Sequence, residues 1–119
     1  MSAALGGGAP ETARPYAVLI VDDSPFRGQL ARRLRAAGVV TAEASGPEKA
    51  RLYLRHLRFD AVLVDLDGEP APVRRLLDEI RRAQPGARPI GITQRGAQLA
   101  GLRTLRKPFG VEAILGLAA

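Results

Sequence analysis

Apolar and polar positions along this chain fall into two alternating regimes. Short runs of consecutive apolar residues, such as Ala17-Val18-Leu19-Ile20-Val21 and Ala61-Val62-Leu63-Val64, are separated by longer stretches in which apolar residues recur every three or four positions. Runs of the first kind read as buried strands and stretches of the second as amphipathic helices, an order that predicts βαβ units and a parallel sheet. Strands are expected at Ala17 to Val21, Val39 to Ala44, Asp60 to Leu66, Pro89 to Thr93 and Leu102 to Arg106. The third run is almost wholly apolar between its end carboxylates, as a strand covered on both faces should be, so it is expected at the centre of the sheet.

Helix signals fill the gaps. Ser24-Pro25 offers an N-cap and a first-turn proline, Phe26, Leu30, Leu34 and Ala37 supply a stripe, and Gly38 closes it. Ser45 with Glu48 is a capping-box pattern ahead of a second helix carrying Ala50, Tyr53, Leu54 and Leu57 and ending near Arg58. A loop with Gly68, Pro70 and Pro72 then leads to a third helix with Val73, Leu76, Leu77 and Ile80 inward, stopped by Pro85-Gly86. Val111, Ile114 and Leu115 belong to a last short helix. Only Gln94 to Gly101 separate the fourth and fifth strands, room for at most about two helical turns. The pattern thus predicts an α/β domain, a doubly wound five-stranded parallel sheet flanked by helices, with the fourth helix shortened.

The polar residues that end the strands carry the chemistry. The first run ends in Asp22-Asp23, the third in Asp65, the fourth in Thr93 and the fifth in Lys107-Pro108. Open α/β sheets bind ligands at the carboxyl ends of their strands, so three aspartates, a hydroxyl and an ammonium are expected on one rim. Carboxylates brought together repel unless protonated or bridged by a cation, and hard oxygen ligands favour Mg²⁺. An aspartate beside such a metal can act as a nucleophile and form an acyl phosphate, with the lysine and hydroxyl stabilising the transferring oxygens.

Composition narrows the reading further. The 119 residues suit a single domain, with 1–15, rich in Ala, Gly and Pro, expected as a disordered tail and 16–119 as the folded unit. Cysteine is absent, so disulfides and thiolate metal sites are excluded. No signal-peptide pattern and no apolar stretch near the roughly 20 residues of a membrane helix is present, and a soluble, cytoplasmic protein without membrane attachment is expected. The net charge of +6 is carried mainly by arginine, and few aromatics accompany it. With no basic strand on which bases could stack, nucleic acid is not the expected partner. Arg27, Arg32, Arg33 and Arg35 give the first helix a basic face suited to an acidic protein partner.

Taken together, Asp22-Asp23, Asp65, Thr93 and Lys107-Pro108-Phe109, each after its own strand, resemble the receiver domain of bacterial two-component response regulators, over about Tyr16 to the end. The resemblance implies a flavodoxin-like fold and a signalling phosphoacceptor rather than an enzyme. Asp65 is then the phosphorylation site, served by a histidine kinase or phosphotransfer protein and answering to a downstream protein. Mg²⁺ is implied at Asp22, Asp23, Asp65 and the backbone carbonyl of Asp67. By the same resemblance Lys107 pairs with Asp65, Thr93 bonds a phosphoryl oxygen, and the Lys107-Pro108 bond is expected to be cis.

Several positions depart from the family pattern. Glu69 stands where a proline is usual, with Pro70 one place later, and Val73 replaces a glycine. Gln94 replaces a small residue beside the site, and Thr104 stands where an aromatic usually reports the threonine's movement. Asp67, Gln94 and Arg95 are expected to gate the entrance, with Asp67 and Arg95 meeting as an ion pair across it. These departures keep open a pseudo-receiver, an interaction module that no longer switches by phosphorylation. Val62 to Gly68 also resembles the first motif of haloacid-dehalogenase-type phosphohydrolases, but only Glu112 lies beyond Lys107 to serve as their later acidic motif.

Overall fold

The computed structural model describes residues 15–118, so the expected tail lies outside the described residues except for Pro15. Five strands, β1 (Ala17–Val21), β2 (Val40–Ala44), β3 (Ala61–Asp65), β4 (Arg88–Thr93) and β5 (Thr104–Arg106), form one parallel sheet in the order β2-β1-β3-β4-β5. Four helices flank it: α1 (Phe26–Ala36), α2 (Pro47–His56), α3 (Pro70–Ala83) and α4 (Val111–Ala118). β3 is central, and the chain reverses its direction of travel across the sheet between β1 and β3, the switch point where such folds bind ligands.

Alternation along the strands divides the core in two. Leu19, Val21, Val62 and Val64 pack with Leu54, Leu76, Leu77 and Ile80 of α2 and α3. Val18, Ile20, Leu63, Ile90 and Ile92 face the other way, onto Leu30 and Leu34 of α1 and Ile114 of α4. Among the described residues no helix is long and apolar enough to cross a membrane.

Local chemistry moved several boundaries. Pro70 and Pro72 lie in the first turn of α3 rather than in the loop before it, because a fixed φ and a missing N–H cost nothing where helix donors have no partner. Ser24 does not cap α1: Pro25 holds the N-cap position, and the Ser24 N–H donates to the Asp22 carboxylate instead. Nor does the Ser45–Glu48 box form, since α2 starts one residue later with Gly46 as N-cap and Pro47 in the first turn. Leu57, assigned to the buried stripe, is the C-cap of α2 and 48% exposed.

The largest departure is between β4 and β5, where the expected short helix is absent. Its beginning is there: Thr93 Oγ1 accepts the N–H groups of Gly96 and Ala97, both at 3.0 Å, as an N-cap hydroxyl would. Gly96 then turns to φ +88° and Gly101 to φ +76°, left-handed values that end the turn before it propagates. Leu66 fills part of the space left over the sheet. A Cβ on Gly91 would lie 2.6 Å from Leu66 Cδ1, 3.0 Å from Thr104 Oγ1 and 3.1 Å from Leu102 Cδ2. Gly91→Ala should therefore lower stability by about 1–3 kcal/mol, the usual cost of overpacking, as a shift in the urea midpoint at unchanged slope.

Candidate functional site: an acidic rim with one buried lysine

Parallel register brings the functional side chains level. Val21 pairs with Val64, Asp65 with Ile92, and Thr93 with Arg106, so Asp22, Asp65, Thr93 and Lys107 all emerge at the carboxyl edge. Backbone bonds from Asp22 N–H to Ala44 O (3.0 Å) and from Lys107 N–H to Thr93 O (2.8 Å) carry the ladder onto the rim. Carboxylate oxygens of Asp22, Asp23 and Asp65 converge within 4.8 Å of one another. Asp22 is buried, Asp65 half-buried and Asp23 exposed, so the cluster opens on Asp23.

Lys107 is the counter-charge. Its ammonium lies 2.8 Å from Asp22 Oδ2 and 3.5 Å from Asp65 Oδ1, with side-chain exposures of only 7% for Lys107 and 0% for Asp22. Burial works against the ammonium, but the contact and charge of Asp22 and the charge of Asp65 outweigh it and raise the Lys107 pKa. The Asp65 pKa is also raised: burial is the largest cause, with the Asp22 and Asp67 charges acting the same way against the attraction of Lys107. The rim thus holds more negative charge than one lysine balances. Three oxygen-donor carboxylates with this residual charge fit a small hard cation.

Ser24 and Phe26, which pattern reading did not assign to the site, support Lys107, with Phe109 packed behind Phe26. The lysine Nζ approaches Ser24 Oγ at 3.4 Å and lies 5.4 Å from the ring centroid of Phe26, which packs edge-on against Phe109 with centroids 5.0 Å apart. The aromatic faces hold the stem while the ring quadrupole attracts the charge. Their signal in the sequence was position alone, Phe26 soon after Asp22-Asp23 and Phe109 directly after Lys107-Pro108. The Lys107-Pro108 peptide is cis.

Asp67 lies apart from the cluster of three. Its Oδ1 accepts the Thr93 hydroxyl, and its Oδ2 the Gln94 N–H at 2.7 Å. Burial raises its pKa, but these bonds, the Arg95 N–H and the Lys107 charge outweigh it and the carboxyl is held below its ordinary value. The expected Asp67–Arg95 ion pair is not formed; the hydroxyl and backbone N–H groups have taken the carboxylate. Arg95 instead lines a cleft of about 390 Å³ with Asp22, Asp23, Asp65, Asp67 and Glu69. Thr104, on β5, turns toward Gly91 on the neighbouring strand. The basic face of α1 is smaller than its sequence suggests: Arg27 and Arg35 both pair with Glu43, at 3.1 and 3.0 Å, which leaves Arg32 and Arg33 exposed to solvent.

No family model matches the chain. A solved receiver-domain protein described as CheY-like, from Methanospirillum hungatei, shares the fold with a TM-score of 0.74 at 21% identity, covering 87% of this chain and 90% of that one. A response regulator from Burkholderia pseudomallei, solved with a phosphorylated aspartic acid, calcium ion and citrate, superposes with a TM-score of 0.76 at 28% identity, covering 87% of this chain and 66% of that one. Sheet order, rim and these likenesses define a CheY-like receiver domain. A response regulator receiver protein of Anaeromyxobacter sp. (strain Fw109-5) is 37% identical over 108 residues, 83% of this chain. The chain belongs to the response-regulator receivers of two-component signalling, and it spans 45% of that relative's length.

Proposed function

We propose that the chain is a phosphorylation-dependent signalling receiver that takes a phosphoryl group onto Asp65 from a histidine kinase or phosphotransfer protein and passes the signal to a protein partner. The observation that carries this reading is the convergence of Asp22, Asp23 and Asp65 with Lys107 bridging two of them. The phosphorylated aspartate and calcium ion of the Burkholderia regulator support it by analogy. Asp22, Asp23, Asp65 and the Asp67 carbonyl would hold Mg²⁺, which would supply the charge neutralisation that a dianionic phosphoryl group needs among carboxylates.

An Asp65 oxygen forms the new O–P bond as the donor's P–N bond breaks, the electron pair staying on the imidazole nitrogen. Lys107, fixed by Asp22, balances charge on Asp65 and on the incoming oxygens, and the Thr93 hydroxyl serves as a donor to one of them. The chain is here the acceptor of the group and acts on no separate substrate. Arg95, which lines the cleft, and its neighbour Gln94 screen the entrance and set access of donor and water. Nucleic acid and membrane have no part in this reading.

The helix-free β4–β5 connection and Thr104 favour a second reading, an interaction module that has lost the switch. Acetyl phosphate separates the two. The receiver reading predicts one added phosphoryl group by intact-mass spectrometry with saturating Mg²⁺ and none after chelation; an unlabelled protein in both conditions supports the interaction module.

A further inference from the structure

Thr93 Oγ1 has no hydrogen-bonding capacity left. A hydroxyl offers one donor and two lone pairs; here its proton goes to Asp67, and its lone pairs accept Gly96 N–H and Ala97 N–H. The Gln94 N–H, another donor at this strand end, is also spent on Asp67. One carboxylate therefore occupies a hydroxyl and a backbone N–H at the end of the strand beside Asp65.

We infer that Asp67 is a resident anion that competes with the phosphoryl group for the Thr93 hydroxyl and the Gln94 N–H, and so is a positioning residue that holds the β4–β5 connection in its resting form. The inference rests on the acceptor reading of Asp65. For a phosphoryl oxygen on Asp65 to gain Thr93, the bond to Asp67 must break, because the hydroxyl has a single proton. Charge acts in the same direction: a phosphoryl dianion two residues away repels the Asp67 carboxylate. Releasing Asp67 frees the Gln94 N–H, and a hydroxyl that turns to a phosphoryl oxygen carries with it the lone pairs that hold the Gly96 and Ala97 N–H groups. In a chain whose β4–β5 connection carries no helix, this exchange of one anion for another moves the surface beside the site without needing an aromatic at Thr104.

The test uses beryllium fluoride with saturating Mg²⁺ as a stable phosphoryl analogue, titrated into the full chain and followed by ¹H–¹⁵N spectra. If the competent form is a minority because Asp67 holds Thr93, Asp67→Ala should bind the analogue about tenfold more tightly, as expected from losing a charge-assisted bond that opposes binding. Removing a negative charge would also favour an anion, so the same substitution is made in a Thr93→Val background. A competitor acting through the hydroxyl predicts that most of the gain disappears there, whereas a general charge effect predicts that it persists. The Gln94 amide proton in the analogue-free protein gives an independent reading and should shift upfield in Asp67→Ala. Equal affinity of wild type and Asp67→Ala, or a gain undiminished by Thr93→Val, overturns the inference. Failure of both to bind the analogue, with the expected Gln94 shift present, counts instead against Asp65 as acceptor and removes the competition with it.

Discussion

Lys107→Ala is expected to destabilise the metal-free protein by about 3–5 kcal/mol, the usual cost of removing one partner from a buried ion pair. The size follows from what is left behind. Asp22 is 2% exposed, its Oδ2 takes no hydrogen bond from any other group among the described residues, and Lys107 is the cation 2.8 Å away. At about 3 kcal/mol the thermal midpoint of a domain of this size falls by roughly 12–24 °C. Two controls separate charge from lost packing of the lysine stem over Phe26. Saturating Mg²⁺ should restore part of the loss, because a cation among the carboxylates again neutralises Asp22. The double variant Asp22→Asn with Lys107→Met should be more stable than Lys107→Ala alone, since it leaves no buried charge unpaired. A loss under about 1 kcal/mol, the value of an exposed pair, would contradict the buried geometry.

Asp65→Asn is expected to abolish phosphoryl labelling and yet leave the metal-free protein at least as stable as the parent. The stability follows from the raised Asp65 pKa, whose chief cause is burial, with the Asp22 and Asp67 charges adding to it. A carboxyl whose pKa is higher folded than unfolded favours the fold while protonated and loses that contribution as pH rises through the folded value. At neutral pH the ionised group opposes folding, and asparagine removes the opposition. Between the ordinary aspartate pKa and the raised folded one, the parent should therefore lose stability with rising pH relative to Asp65→Asn. Mg²⁺ should reverse the order by stabilising the parent more than the variant. Chemical-denaturation midpoints over pH, with and without Mg²⁺, give both signs; a variant less stable than the parent without metal would refute the electrostatic account.

How much of this was legible in the sequence depended on what set each feature. Continuous apolar runs located β1, β3 and β4, whose residues are largely buried, whereas β2 alternates buried with more exposed positions and β5 has no buried residue. The strand-end residues Asp22, Asp65, Thr93 and Lys107 followed from the same runs, since parallel register brings strand ends to one rim. β5 is shorter than expected, Thr104–Arg106, because Leu102 leaves the ladder to cover Gly91. Features decided by competition between side chain and backbone were not legible. Ser45 and Glu48 had the spacing of a capping box, but Gly46 and Pro47 began α2 first. Asp67 and Arg95 had opposite charges and matching offsets, yet the Asp67 carboxylate is taken by the Thr93 hydroxyl and the Gln94 N–H. No periodicity encodes which donor reaches a loop carboxylate first.

The central claim, that this rim is built to carry a phosphoryl group on Asp65, is tested most directly by borohydride trapping. An aspartyl phosphate is reduced to homoserine, whereas free carboxylates and phosphate esters are left unchanged. After treatment with acetyl phosphate and Mg²⁺, reduction and peptide mass mapping should locate homoserine at position 65 and nowhere else. Homoserine at position 22, 23 or 67, or unmodified Asp65 in a protein that carries a phosphoryl group, would contradict the account.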